Sequence, residues 1–131
     1  AFQRSHPHAL PVPPLVEDAI TESVFCHWFR RHDPDVVLGH SLQALEWMQR
    51  CGAEVPQTHG FFALNLLHAD RPCAGLDFAP HLIGALGAEI VIAMLHRNER
   101  GVPNTYSLTT FPSRWVDGPT LRILRRRAKR R

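Results

Sequence analysis

The chain has 131 residues, enough for one domain with a real core, and its 44% apolar and 21% charged residues are an ordinary globular mix. No apolar run approaches the ~20 residues of a membrane span, and the opening AFQRSHPHALPVPP lacks the basic-then-apolar order of a secretory signal. The net charge of +3 comes from the end of the chain: residues 122–131, RILRRRAKRR, carry seven of the fifteen cations and no acid, which leaves residues 1–121 at −4.

The three cysteines, Cys26, Cys51 and Cys73, are odd in number, widely spaced and without a CxxC pair. That pattern favours neither a disulfide framework nor a cysteine-rich zinc site. All three are expected to be small buried hydrophobes in a reducing cytoplasm, with no membrane association.

Residues 1–14 hold four prolines and read as an irregular or extended entry. PLVED, 14–18, reads as a short strand. Residues 19–32 read as a helix capped by Asp18 or Thr21, with Ile20, Val24, Phe25, Trp28 and Phe29 on one face. Arg30, Arg31 and His32 complement its negative end, and Asp33-Pro34 stops it. DVVLGH, 35–40, reads as a buried strand, followed by Ser41 as the cap of a helix, LQALEWMQRC, that Gly52 ends.

THGFFALNLL, 58–67, reads as a second buried strand, and 68–75 as a loop. Asp77 is positioned to cap a helix that runs to about Asn98, with Pro80 in its first turn. Leu82, Ile83, Leu86, Ile90, Val91, Met94 and Leu95 form its apolar stripe, and Gly84 and Gly87 allow close approach of another backbone. TYSLTTF, 105–111, and SRWV, 113–116, read as strands. Alternating strands and helices indicate an α/β fold with a mostly parallel sheet flanked by helices.

Nine histidines raise the question of a metal, but His27 and His32 are off helical spacing and no HExxH occurs. No GxSxG, P-loop or GxGxxG is present, so we expect neither an enzyme nor a cofactor. In open α/β sheets ligands bind beyond the carboxyl ends of the strands. Those positions are Glu17 and Asp18, then Gly39, His40 and Ser41, then Asn65, and they suit a small polar ligand. Asp18 and Ser41 equally serve as helix caps. The tail reads as a disordered, solvated block of like charge with weak phosphate attraction and no interleaved aromatic for base stacking.

Several segments together resemble the C-terminal effector-binding region of LacI-type transcriptional regulators. These are PDVVLGHSLQALEWMQRCGAEVP at 34–56, THGFFALNL after it, CAGLDFAPHLIGALGAEIVIAMLHRNERGVP at 73–103, and SLTTFPSRWVDGPTLR. The resemblance covers about residues 15–121 and rests on the order and spacing of these pieces. It implies part of a periplasmic-binding-protein-like domain over residues 1–121: mainly the second lobe, with the helix at 80–98 crossing to the first. It implies a small effector such as a sugar or nucleoside, a homo-oligomer, and DNA binding only through an N-terminal helix-turn-helix that is not in this chain. By motif position, His40 or Gly39 falls at one polar contact of the cleft, Asn65 near another, and Glu17 and Asp18 near a third. The family's usual N-D is G-H here, and its G-[YF]-D is replaced by FALNL. Whether the ligand differs or sugar binding is lost stays open. The alternative is a small basic-tailed α/β protein that binds nucleic acid or a protein partner directly.

Overall fold

A computed structural model describes residues 12–69, 71–102, 105 and 107–123. The elements are α1 (Glu22–His32), β1 (Val36–Gly39), α2 (Gln43–Arg50), β2 (Gly60–Ala63), a 3-10 turn (Leu66–His68), β3 (Gly75–Asp77), α3 (Pro80–His96) and β4 (Arg114–Val116). One sheet holds the strands in the order β1-β2-β3-β4. The first three are parallel, and β4 runs antiparallel to β3. The architecture is thus α/β, with a small, mostly parallel sheet.

Thr21, one of the two expected caps, starts α1: its hydroxyl accepts the Val24 N–H at 3.4 Å. Asp33 ends the helix in the left-handed region and donates its N–H to the Phe29 carbonyl. Phe25 and Phe29, one turn apart, are both buried, and Phe25 meets Trp47 of α2 with ring centroids 5.5 Å apart. Leu45, Trp47 and Met48 turn the buried face of α2 toward Val37, Phe61 and Ala63. Phe61 and Met48 are fully enclosed, and burying each contributes about 1.5–3 kcal/mol.

Cys26 and Cys51 form a disulfide, with Cα atoms 6.2 Å apart. This corrects the expectation of three buried thiols, which fits Cys73 alone. The two residues lie on different helices, so only the packing of α1 on α2 brings them together, and no local spacing announces it. Closing this loop removes unfolded-state entropy worth about 3.5 kcal/mol in the chain-entropy account.

The expected strand at 14–18 does not form. Residues 12–20 are irregular, and the Trp28 indole N–H holds them by donating to the Pro13 carbonyl at 2.9 Å. With no strand before it, β1 lies at the sheet edge. Val37 faces the helices, but Val36 and Leu38 on the opposite face stay 45% and 62% exposed. On that face, Trp115 stacks on Phe62 at 4.3 Å and Leu121 reaches over Gly60, and this cover stops short of β1. The expected buried strand is therefore buried on one side only.

β2 is shorter than the expected 58–67, because the chain turns at Asn65 into the 3-10 turn. The expected strand at 105–111 is absent over 107–111, where the chain is irregular and exposed. Tyr106 lies outside the described residues, as do residues 1–11 of the entry and 124–131 of the tail.

α3 begins at Pro80, as the proline predicts, but its N-cap is Ala79 without a side-chain hydrogen bond. Asp77 instead accepts the Ala79 N–H at 2.8 Å, one step before the helix. No residue of α3 is buried. Its apolar side chains extend beyond one stripe, since Ile92 is exposed together with Leu82, Ile83, Ile90, Val91 and Leu95.

The chain segment after β4 closes the sheet. Thr120 is buried; its hydroxyl accepts the Ala74 N–H at 2.9 Å and its carbonyl accepts the Phe61 N–H at 2.8 Å. Gly118 lies so close to the Cys73–Ala74 peptide that any side chain would overlap its backbone atoms. Thr120→Val leaves the Ala74 N–H without its acceptor and is expected to cost about 1–3 kcal/mol. Gly118→Ala is expected to cost at least about 2 kcal/mol, as a forced backbone shift. Gly84→Ala meets open space in α3 and is expected to strengthen that helix by about 0.5–1 kcal/mol. Urea unfolding reads the first two changes and amide exchange in α3 the third. An unchanged midpoint for Gly118→Ala would contradict this packing.

Candidate functional site

β1 and β2 run parallel, so their carboxyl ends open at the same edge of the sheet. β1 leads through His40 and Ser41 into α2, while β2 leads through Asn65 into the 3-10 turn. The chain therefore parts on either side of a hollow of about 400 Å³ lined by His40, Ser41, Gln43, Glu46 and Asn65, with Ala63 among its apolar walls.

Three of these polar groups also have a local task. Ser41 is not the N-cap it was expected to be, since Leu42 holds that position, but its hydroxyl accepts the Gln43 N–H at 3.1 Å and so holds the chain entering α2. Asn65 Oδ1 accepts the Leu67 N–H at 2.9 Å and so caps the 3-10 turn. Glu46 accepts from Arg71 at 3.2 Å, an exposed pair worth at most about 1 kcal/mol. These bonds fix the frame of the hollow. A hydroxyl, an imidazole, two amides and one carboxylate can donate to and accept from a neutral, hydroxyl-rich ligand.

Of the six residues expected at the site, His40, Ser41 and Asn65 come together. Gly39 does not line this hollow; it lines an adjoining, more apolar one of about 320 Å³ together with Leu15, Ile20 and Leu38, which His40, Ser41 and Gln43 also border. A side chain at Gly39 would meet the Phe61 ring at 3.1 Å, so its bareness makes room for the core. Glu17 and Asp18 line neither hollow and are exposed. They were placed at the end of a strand that does not form.

The crevice continues past β2. A second, wider hollow of about 810 Å³ is lined by Asn65, Asp77, His81 and Arg114, with Phe78 and Ile83 as apolar walls. Asn65 borders both hollows. Asp77 and Arg114 are opposite each other in the β3–β4 register, and their side chains pair at 2.9 Å. The Ala79 N–H holds the Asp77 carboxyl below its ordinary 3.8, and Arg114 adds to this against partial desolvation. Sequence reasoning assigned Asp77 to a helix cap and passed over Gln43, Glu46, His81 and Arg114. Gln43 and Glu46 carried one usable signal, since they are in the first turn of a helix that follows a strand end.

Among the described residues no group of three or more His, Cys, Asp or Glu could hold a metal ion, and no helix is long and apolar enough to cross a membrane. Comparison with protein-family models, curated proteins and solved structures finds no match for the chain.

Because the native Asp77 carboxyl is depressed, its contribution to stability is present above the unfolded value and is lost as pH falls through the native one. Asp77→Asn is therefore expected to be less stable than the parent chain near neutrality, with the gap closing as pH falls below the ordinary carboxylate range. Thermal unfolding of both chains across this range checks it. A gap that widens in acid would reverse the assigned sign.

Proposed function

We propose that the chain is the effector-sensing and dimerisation part of a transcriptional regulator of LacI type. In this reading residues 1–121 are part of a periplasmic-binding-protein-like domain, mainly its second lobe. The hollow beyond β1 and β2 is one wall of a cleft for a small polar ligand such as a sugar. DNA is bound through an N-terminal helix-turn-helix outside this chain.

The observation that carries the proposal is the convergence of His40, Ser41 and Asn65 at the carboxyl ends of two parallel strands. Ligands of open α/β sheets bind at such ends. The polar groups of the hollow suit hydrogen bonding to such a ligand. The bare α3 is the second support. A long apolar helix with no buried residue fits an element made to lie against another lobe or another copy. The cytoplasm in which such a regulator works keeps most thiols reduced, and disulfides that form there are mostly redox-sensing.

Differential scanning fluorimetry against a panel of monosaccharides and nucleosides tests the ligand class. One member is expected to raise the unfolding temperature, and His40→Ala and Asn65→Ala are each expected to weaken its binding about tenfold, the loss of roughly one good hydrogen bond. No response to any member, together with sequence-specific DNA binding by this chain that survives removal of residues 122–131, would overturn the reading. Sedimentation is expected to show concentration-dependent association that Ile90→Glu and Leu95→Glu abolish. A monodisperse parent chain that binds no hydrophobic dye would contradict that role for α3.

A further inference from the structure

Cys26 is half-buried and lines an open cleft of about 480 Å³ with Ser23, His27, Arg30 and Arg31. The five residues follow helical spacing along one side of α1. Arg50, Arg71, Arg97 and Arg114 are each matched to a carboxylate. Among the described residues, Arg30 and Arg31 form no ion pair. Their charge is available to whatever enters the cleft. Cys51 does not line it. It caps the carboxyl end of α2. Only one sulfur of the disulfide therefore opens to the cleft, and access decides which is attacked.

We propose that the Cys26–Cys51 disulfide is a thiol-exchange site at which Cys26 is the reactive sulfur and an anionic low-molecular-weight thiol is the co-substrate. Arg30 and Arg31 draw a carboxylate-bearing thiol to the cleft and favour the thiolate form of Cys26 once it is released. In the opening direction the incoming thiolate attacks Cys26 Sγ from the cleft. A new S–S bond forms to Cys26, the Cys26–Cys51 bond breaks, and Cys51 leaves as a thiolate that takes a proton from water. A second thiolate attacks the small-molecule sulfur of this mixed disulfide and releases a small disulfide and the Cys26 thiolate. Two thiols are oxidised by two electrons in total, and the protein disulfide is reduced. Closing reverses these steps: Cys26 attacks the small disulfide, and Cys51 displaces the captured half.

The bond fastens the end of α2, the helix whose first turn places Gln43 and Glu46 at the hollow, so its state sets how firmly that wall is held. The site stands on its own surroundings and does not depend on which ligand fills the hollow. Cys73 is buried and outside the cleft, and it serves as an internal control.

The test uses the whole chain and follows disulfide opening by alkylation and peptide mass spectrometry, with glutathione as the anionic thiol and cysteamine as the cationic one. The double substitution Arg30→Gln, Arg31→Gln is expected to slow opening by glutathione about tenfold, and to leave opening by cysteamine unchanged or faster. Both positions are exposed, so the fold is retained. In Cys51→Ser, glutathione disulfide is expected to load Cys26, and in Cys26→Ser to load Cys51 far more slowly. Equal effects on the two thiols, a mixed disulfide trapped mainly on Cys51, or a parent chain that stays dithiol in glutathione disulfide would each overturn the proposal.

Discussion

β2 is held from both sides, and the rest of the structure depends on that. Toward β1, Gly60 donates to Asp35 and Leu64 donates to Gly39, each at 2.8 Å. Toward the other side, Phe61 donates to Thr120 and Ala63 donates to Ala74, also at 2.8 Å. A buried strand must find acceptors for every N–H. Here one of them is supplied by a residue almost sixty positions later in the chain. With the backbone fixed in this way, Phe61 is pressed between β1 and the two helices, and the chain leaves the sheet at Asn65. The core and the candidate site are consequences of one strand's placement.

The same arrangement leaves the molecule one-sided. α1 and α2 cover a single face of the sheet. On the other, Trp115 and Leu121 cover the middle strands, while Val36 and Leu38 face outward. α3 adds a second apolar surface, with none of its residues buried among the described ones. Most helical stability in proteins comes from burying a face, so α3 belongs at the low-stability end of this structure. The second surface lies beside the crevice: α3 starts three residues after Asp77, and Ile83 lines the wider hollow. A partner that covers α3 would therefore also border the polar groups at the strand ends, as a second lobe does in a cleft.

Much of the first half was legible in the sequence because its signals are local. Apolar spacing and the Thr21 cap locate α1. The β-branched run and Ser41 locate β1 and the start of α2. The rule that ligands meet strand ends points to six residues, of which His40, Ser41 and Asn65 line one hollow. What was missed is tertiary. The 14–18 segment has strand-like residues but no neighbour to pair with, and its loss removes Glu17 and Asp18 from the site. Residues 107–111 fail as a strand for the same reason. Cys26 meets Cys51, Asp77 meets Arg114, and Thr120 meets Ala74 across 25, 37 and 46 positions. No period or cap encodes such distances. The basic tail was the loudest signal in the composition, and most of it lies outside the described residues.

Residue-resolved hydrogen exchange in dilute solution tests most directly whether the structure is organised around β2 with α3 left bare. The Phe61 and Ala63 amides should exchange slowest, through global opening alone, and the α3 amides should exchange orders of magnitude faster, becoming protected as the chain is concentrated. An α3 as well protected as β2 in the dilute monomer, or a Phe61 amide that exchanges as fast as α3, would contradict the account.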